Sequence, residues 1–249
     1  LVVTNDFPPR VGGIEDYVSQ VLAHLPGTTE ATVLAPAQAQ DAAFDAGCRH
    51  RVVRWPVWPM LPTPGLARAV VDLVERERHD VLLFGAASPL ALMAGRVRSR
   101  VPVPVVAFTH GVEPSLARLP GVAAGLRAIA RRASALTAVS AWAEGALRRA
   151  VGPAVRIRQL PSGVDPARFR PDVSGAAVRA ALGLGDAPVV ACVSRLVRRK
   201  GVDQLIRALP GVRRACPGAR LLVVGDGLDR ARLERLARHK VPAPAERFD

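Results

Sequence analysis

LVVTNDFPPRVGGIEDYVSQVLAHL, residues 1–25, joins a short apolar run to an amphipathic helix through a loop rich in proline and glycine. The run Leu1–Val3 has the composition of a buried strand. From Ile14 onward, apolar residues recur every three or four positions, as they do on one side of an α-helix. Because a strand followed at once by a helix is the first half of a βαβ unit, this stretch predicts an α/β fold.

The loop in this stretch combines stiff and permissive residues. Pro8 and Pro9 each fix φ and remove a backbone donor, so the first part of the loop is expected to be extended. Gly12 and Gly13 allow close approach to the backbone where the helix begins. A helix N-terminus of this kind suits an anionic group. The pattern is equally compatible with a tight turn between strand and helix.

Strand-like and helix-like segments then alternate along the chain. The strand-like runs are ATVLAP (31–36), RVVRW (51–55), VLLFGA (81–86), VPVVAFTHG (103–111) and ALTAVS (135–140). The helical patterns are LARAVVDLVERER (66–78), PLALMAGRV (89–97), GLRAIARRA (125–133) and AWAEGALRRAV (141–151). Buried strands that alternate with helices predict a parallel sheet with right-handed crossovers, as in a Rossmann-like domain.

QLPSGVDPARFRPD, residues 159–172, interrupts the alternation and is the best candidate for a domain boundary. We therefore predict an N-terminal Rossmann-like domain over residues 1–165 and a second Rossmann-like domain over residues 166–249. The second is expected to be truncated. Only two strand-like runs follow the boundary, and VPAPAERFD, residues 241–249, has no apolar period.

Composition and charge narrow the class of protein. The 249 residues are 49% hydrophobic and carry a formal net charge of +14. This charge suggests nucleic acid, an anionic membrane surface or phosphorylated substrates as partners. The arginines are spread along the chain without interleaved aromatic residues, so we do not expect nucleic acid. Cys48, Cys192 and Cys216 have neither disulfide nor metal-ligand spacing, which indicates a cytoplasmic protein without a metal.

VSRLVRRKGVDQLI follows a strand-like run and opens a helical pattern. Arg195 and Lys200 are therefore predicted at the carboxyl end of the sheet, where open α/β folds bind ligands. A guanidinium and an ammonium both suit a pyrophosphate. The alternative is a solvated basic loop, which is our interpretation of Arg198 and Arg199.

His110 follows another strand-like run, in AFTHGVE. At that position a histidine can bind a sugar hydroxyl or move a proton near neutral pH, although a lone histidine is more often structural. The remaining histidines are predicted to be surface residues: His24, His50, His79 and His239. VGDG, residues 224–227, lacks the full glycine fingerprint of a dinucleotide site, and no metal or P-loop motif is present.

Four segments, taken in order, resemble the retaining glycosyltransferases of family 4, which have the GT-B architecture. They are NDFPPRVGGIEDYV, FTHGVE, LPSGVDPARFRP and VSRLVRRKGVDQLIRAL. RWPVWPMLPTP and FGAASPLALMAG are further similar to the phosphatidylinositol monomannoside mannosyltransferases of actinobacteria. The resemblance covers nearly the whole chain. It implies transfer of mannose from GDP-mannose to a phosphatidylinositol mannoside, with retention of configuration.

The resemblance also implies roles for individual residues. Gly12 and Gly13 match the glycine loop that lies against the phosphates and sugar of the donor. Arg195 and Lys200 match the pair that holds the nucleotide diphosphate and stabilises its departure without a metal. His110 matches the histidine that positions the transferred sugar, so it is the expected catalytic residue. The donor is a substrate, and no cofactor is implied.

Two other functions remain open from the sequence. The second domain of the family continues into a Glu-x7-Glu segment that binds the donor, and no pair of glutamates at that spacing follows Gly225. A chain without this segment could be a non-catalytic nucleotide-binding remnant. Within the family, transfer of N-acetylglucosamine to a soluble inositol phosphate, as in mycothiol synthesis, is the other enzyme function that fits.

The segment GLRAIARRASAL predicts the contact with a membrane. It places Leu126, Ile129 and Ala133 on one side of a helix, and the three arginines toward the other are Arg127, Arg131 and Arg132. Short basic helices of this kind can lie in the interface of an anionic membrane. With a lipid acceptor, we expect a peripheral protein on the inner face of the plasma membrane. The alternative is an ordinary surface helix in the outer layer of the fold.

Overall fold

The computed structural model describes residues 1–111 and 119–240. The chain divides into two compact units, Leu1–Val164 and Asp165–Asp249. The domains predicted from the sequence, 1–165 and 166–249, place the boundary one residue later. The resemblance to family 4 further implies that the first domain binds the acceptor and the second the donor, and this assignment stays a prediction.

The first unit is built on a seven-stranded sheet of order β3-β2-β1-β4-β5-β6-β7, in which every pair is parallel. The strands are β1 (Val2–Val3), β2 (Thr32–Pro36), β3 (Arg51–Trp55), β4 (Leu82–Phe84), β5 (Val105–Thr109), β6 (Ala135–Ala138) and β7 (Ile157–Gln159). The chain moves outward from β1 to β3 and then returns to pair β4 with the other side of β1. The strand order therefore reverses between β1 and β4, and open α/β sheets bind ligands at such a reversal.

Helices cover both faces of this sheet. They are α1 (Gly13–Ala23), α2 (Asp41–Ala46), α3 (Pro64–Glu77), α4 (Ala94–Arg98), α5 (Pro120–Arg132) and α6 (Ala141–Val151), and a 3₁₀ turn (Leu90–Met93) precedes α4. Successive strand residues point to opposite faces. Val2 accordingly packs in the cluster that contains Tyr17 of α1, whereas Val3 packs in the cluster that contains Val70 of α3 and Ile129 of α5. This arrangement confirms the predicted α/β fold.

Three elements differ from the sequence prediction. The helix expected over residues 89–97 is a 3₁₀ turn followed by the five-residue helix α4. The helix α2 and the strand β7 were not predicted. None of the residues of α2 is buried, and only Ile157 is buried in β7, so neither element has a hydrophobic period to read.

The second unit contains two parallel strands and the helices that follow the same alternation. Its elements are α7 (Ala176–Ala181), β8 (Val189–Val193), a 3₁₀ turn (Arg198–Lys200), α8 (Val202–Ala215), β9 (Arg220–Val224) and α9 (Arg230–Lys240). The core consists of Leu196, Val202, Ile206 and Leu233. The strand, helix and strand form the βαβ unit predicted for this half of the chain.

The pairing of β8 and β9 continues beyond both strands through a close backbone approach. The amide of Leu196 donates to the carbonyl of Asp226 at 2.8 Å. Gly225 and Gly227 have φ values of +139° and +155°, and a Cβ on either would collide with the backbone of Ser194 or Leu196. This contact explains why glycine is needed at both positions of VGDG, and the explanation does not involve a dinucleotide site.

Candidate active site

The loop that follows β1 leads to the reversal of strand order and is held by side chains from neighbouring segments. Gln38 donates to the carbonyl of Phe7 at 3.0 Å, and Arg54 donates to the carbonyl of Pro8 at 2.8 Å. Arg54 is itself fixed by Asp45, whose two carboxylate oxygens lie 2.6 and 2.9 Å from its guanidinium. The loop is therefore anchored at successive carbonyls before it reaches the glycine pair.

Gly12 and Gly13 serve different purposes at the start of α1. The side chain of Glu15 is buried and folds back over Gly12, where a Cβ would lie 2.8 Å from its carboxyl carbon. Arg10 balances this carboxylate, with Nε 3.2 Å from Oε1 of Glu15. A Cβ on Gly13, in contrast, would meet nothing within 4 Å. The open space that a ligand needs thus lies at Gly13, and Gly12 makes room for Glu15.

Glu15 was not predicted as a residue of this site. Its carboxylate lies in the first turn of α1, and an anionic ligand at the amides of this helix would experience its negative charge. The contact with Arg10 reduces that repulsion. The only signal in the sequence was an acidic residue three positions after Gly12.

His110 lies just beyond β5, and β5 pairs with β4 at the reversal of strand order. Its Nε2 is 2.7 Å from the carbonyl of Gly85, so this nitrogen carries the proton and donates. The ring lies edge-on to Tyr17, with centroids 5.2 Å apart. Burial raises the pKa of Tyr17, and its neutral hydroxyl donates to the carbonyl of Leu160 at 2.7 Å. The orientation of the imidazole is thus set from two sides.

Gly85 is a second residue that the sequence prediction missed. A Cβ at this position would lie 2.7 Å from Thr4 and 3.1 Å from Val18. Its backbone can therefore pack against β1 and α1 and present its carbonyl to His110 only because it lacks a side chain. The available signal was a glycine directly after the strand residues Leu82–Phe84.

Two histidines predicted at the surface are not exposed, and that prediction was wrong for them. His50 is buried, with Nε2 3.0 Å from the carbonyl of Leu22. The side chain of His79 is 11% exposed and lies 3.2 Å from Glu77. Burial lowers the pKa of His79 despite this neighbouring carboxylate. The partner of His50 is Leu22, which is distant in the sequence. His79 folds back onto Glu77 at the end of α3.

Arg195 and Lys200 lie in the second unit, on the loop between β8 and α8 at the carboxyl end of the strand. Both are exposed, and within the described residues neither side chain makes a hydrogen bond or ion pair. Leu196, which lies between them in the sequence, is buried and fixes the loop to the core. Gly201 caps α8 at a left-handed φ of +69°, where a side chain would be strained. The loop therefore presents two unpaired cations from a fixed backbone.

The apolar side of α5 does not face solvent, and the interfacial helix predicted from this segment is corrected accordingly. Leu126 and Ile129 are each 2% exposed, and Ile129 belongs to the core of the first unit. Arg127, Arg131 and Arg132 are exposed. The apolar stripe arises because the helix covers the sheet, so α5 can meet a membrane only through the charge of its arginines.

The described residues include no membrane-spanning helix and no cluster of metal ligands. In residues 1–111 and 119–240, none of the helices is long and apolar enough to cross a bilayer. Across the same ranges, no three histidine, cysteine or acidic side chains are grouped as metal ligands would be. Glu113, three positions after His110 in the sequence, lies outside the described residues.

The sequence of the chain matches known glycosyltransferases. The model of Glycosyltransferase Family 4 matches residues 11–168, and that of glycosyl transferases group 1 matches residues 176–242. The GDP-mannose-dependent monoacylated alpha-(1-6)-phosphatidylinositol monomannoside mannosyltransferase of Corynebacterium glutamicum is 42% identical over 95% of this chain. The GDP-mannose-dependent alpha-(1-6)-phosphatidylinositol monomannoside mannosyltransferase of Mycolicibacterium smegmatis is 43% identical over the same share. The chain spans 63% of the length of each relative.

The fold is also that of solved structures with little sequence similarity. The crystal structure of Anabaena Alr3699/HepE in complex with UDP matches with a TM-score of 0.73 at 18% identity. The match covers 96% of this chain and 65% of that protein. At this level of identity the likeness concerns the fold alone, and it confirms the GT-B class predicted from the sequence.

Proposed function

This chain belongs to glycosyltransferase family 4, and from that membership we propose that the protein transfers mannose from GDP-mannose to a phosphatidylinositol mannoside with retention of configuration. The observation that supports the donor and the acceptor is the identity of 42–43% with two enzymes that are named for both substrates. The similarity extends over 95% of the chain, so it covers most of both units.

Arg195 and Lys200 bind the diphosphate of the donor in this proposal. Both are exposed cations without a protein partner in the described part of the chain, at the end of a parallel strand where α/β folds bind phosphates. A guanidinium can pair with two phosphate oxygens at once, and an ammonium adds a mobile charge. As the glycosidic bond breaks, charge accumulates on the departing diphosphate. Fixed cations then stabilise the transition state more than the ground state.

His110 positions the transferred sugar. Its Nε2 proton is committed to Gly85, and Tyr17 supports the ring from the side. A histidine held in this way offers a fixed polar edge to a hydroxyl group. Gly13, whose neighbourhood is open, lies on the loop that we assign to the donor.

The acceptor is a lipid in this proposal, and the protein therefore works at an anionic membrane surface, on the inner face of the plasma membrane. The exposed arginines of α5 contribute by charge alone, each by about 1 kcal/mol when it lies near the surface. Their contribution should fall with salt, because the Debye length shortens to about 3 Å at 1 M.

A panel of donors and acceptors tests the proposal. The protein is incubated with radiolabelled GDP-mannose or UDP-N-acetylglucosamine, and with either a phosphatidylinositol mannoside in vesicles or a soluble inositol phosphate. We expect label in the lipid phase only with GDP-mannose. Turnover restricted to the soluble acceptor would replace this proposal with the mycothiol-type function. Binding of GDP in calorimetry without any transfer would favour a nucleotide-binding protein instead.

A further inference from the structure

The short helix α2 has six residues, and none of them is fully buried. Only Phe44 packs against the core, and it is half-buried. A helix of this length is marginal by itself, so contacts other than a packed face must account for it. Both of its aspartates approach the guanidinium of Arg54 on β3. The two carboxylate oxygens of Asp45 lie 2.6 and 2.9 Å from it, and the nearer oxygen of Asp41 lies at 4.0 Å.

Arg54 joins this helix to the loop between β1 and α1. Its Nη2 donates to the carbonyl of Pro8 at 2.8 Å, and its Nη1 donates to the carbonyl of Pro36 at 3.2 Å. The guanidinium carbon also lies 5.8 Å from the centroid of the buried Phe7 ring. A planar guanidinium has five N–H donors in a fixed geometry. One side chain can therefore hold a carboxylate and two carbonyl groups at once.

The backbone of this loop depends on donors from other segments. Pro8 and Pro9 have no backbone N–H, so this part of the loop cannot be fixed by amides of its own. Gln38 donates to the carbonyl of Phe7, and Arg54 donates to that of Pro8. The chain then continues to Gly13, where the space at the start of α1 is open. The position of the glycine pair is therefore set through these two carbonyl groups.

We propose that Arg54, held in place by Asp45, is a positioning residue for sugar transfer and acts through the loop that carries Gly12 and Gly13. This inference rests on the proposed function, in which that loop lies against the donor. The side chain of Arg54 is 12% exposed and its charge is balanced by Asp45, so it does not bind the substrate itself. Misplacement of reacting groups by about 1 Å can lower a rate by a factor of about 10².

Steady-state kinetics of Arg54→Met test this role. Methionine keeps an unbranched stem and removes every donor of the guanidinium. We expect kcat to fall at least about tenfold, because the glycine pair is no longer held in one position. The affinity for GDP should stay within about threefold of wild type, since Arg195 and Lys200 hold the diphosphate in our proposal. A loss of GDP affinity as large as the loss of kcat would overturn the inference.

Arg51→Met is the matched control. Arg51 lies on the same strand and is paired with Glu77, but it is at the amino end of the sheet, away from the glycine loop. The variant loses an ion pair of the same kind, and its kcat should stay within about twofold of wild type at a temperature where both proteins are folded. Equal losses of kcat in Arg51→Met and Arg54→Met, or no loss in Arg54→Met, would overturn the inference.

Arg54→Lys keeps the test decisive if Arg54→Met does not fold. Lysine retains the charge but has a single donor centre, which cannot reproduce the paired contact with Asp45 together with both carbonyl contacts. We expect kcat to fall at least about threefold, by less than in a variant without any donor. Wild-type kcat in Arg54→Lys would overturn the inference, because a point charge would then be sufficient.

A double-mutant cycle tests the part played by α2. Asp45→Asn keeps the shape of the side chain and removes its charge, and alone it should lower kcat at least about threefold. If Asp45 acts through Arg54, the double variant Asp45→Asn, Arg54→Met should have a kcat within about twofold of that of Arg54→Met. Losses that multiply would show that the two residues act separately and would overturn the coupling that the inference requires.

Hydrogen exchange examines the loop without any substrate. Mass spectrometry compares peptides from residues 1–17 in wild type, Arg54→Met and Arg51→Met. We expect the loop amides to exchange at least about fivefold faster in Arg54→Met, because a local opening becomes easier when an anchoring contact is lost. They should exchange at the wild-type rate in Arg51→Met. Equal rates in Arg54→Met and wild type would overturn the inference.

The two proposals can fail separately. The kinetic comparison uses the donor and acceptor on which the wild type is active. A reaction with another sugar or acceptor contradicts the proposed function and leaves the comparison of Arg54→Met with Arg51→Met intact. If the wild type transfers no sugar, the proposed function fails. Faster exchange in Arg54→Met then still supports the role of Arg54 in holding the loop, and unchanged exchange overturns it.

Discussion

At the residue scale, Glu77 connects three parts of the first unit. It is the last residue of α3, and its carboxylate accepts from Thr32 of β2 at 2.6 Å and from Arg51 of β3 at 2.5 Å. His79 lies 3.2 Å away. Burial acts to raise the pKa of Glu77, but the hydrogen bond from Thr32, the charge of Arg51 and the contact with His79 together outweigh it, and the pKa is lowered from its ordinary value of 4.5.

Replacement of Glu77 by glutamine should make the stability of the first unit less dependent on acid. A carboxyl group whose pKa is lower in the folded state stabilises the fold above its unfolded pKa, and this contribution is lost as the pH falls through the folded pKa. We expect Glu77→Gln to reduce the free energy of unfolding by about 1–2 kcal/mol at pH 7, and by less below pH 4.

Urea unfolding followed by tryptophan fluorescence measures this difference, since Trp55, Trp58 and Trp142 all lie in the first unit. Glu75→Gln on the same helix is the control, because Glu75 is exposed. A difference between wild type and Glu77→Gln that stays constant from pH 7 to pH 3.5 would contradict the lowered pKa.

His110 is predicted to act on the sugar and not on the nucleotide. His110→Ala removes the ring that Gly85 and Tyr17 orient, and we expect turnover to fall by a factor of about 10²–10⁴. The affinity for GDP should change by less than twofold. The exposed His24, changed to alanine, is the control. A parallel loss of GDP affinity in His110→Ala would place the histidine at the nucleotide.

At the element scale, the apolar stripe of α5 is a pattern found both in helices that pack on a protein core and in helices that lie in a membrane interface. Its apolar side packs in the protein, and its arginines face outward. Leu126→Ala and Ile129→Ala should each cost about 2–5 kcal/mol of unfolding free energy, because they leave cavities in a packed interior. Arg127→Gln on the opposite side should change stability by no more than about 0.5 kcal/mol. Urea titration compares the three variants, and similar stability in all of them would mean that the helix is not part of the core.

The loop between β8 and α8 is the element on which donor binding depends in our proposal. Arg195→Ala and Lys200→Ala should each raise the barrier to transfer by about 2–4 kcal/mol, as expected for the loss of one preorganised charge donor. Arg199→Ala is the matched control, since Arg199 is exposed on the same loop. Values of kcat/KM within threefold of wild type for both Arg195→Ala and Lys200→Ala would remove the loop from the site.

At the scale of the whole molecule, the sequence was informative where a pattern repeats over many residues. The parallel sheet followed from apolar runs that alternate with helical periods, and the helix α6 has the bounds that its pattern indicates, residues 141–151. The short elements α2 and β7 escaped because they bury at most one residue and therefore leave no period. Local pattern is enough for elements that bury a full face.

The rest depended on contacts between distant segments. The sequence shows that α5 has an apolar stripe but not whether protein or lipid covers it, because the same types of side chain are buried by a protein core and by lipid. The burial of His50 depends on the carbonyl of Leu22, and the need for glycine at position 12 depends on how Glu15 folds back. Among the candidate site residues, the placement of Arg195, Lys200 and His110 after strand ends could be predicted, whereas the support from Gly85 and Tyr17 could not.

The stereochemistry and identity of the transferred sugar test the central proposal most directly. The protein is incubated with ¹³C-labelled GDP-mannose and a phosphatidylinositol mannoside, and the lipid product is examined by NMR. We predict a single new mannose attached through an α-linkage, the configuration that the sugar has in the donor. A β-linked mannose, or a lipid that gains label only from a UDP-sugar, would contradict the proposal of a retaining GDP-mannose-dependent mannosyltransferase.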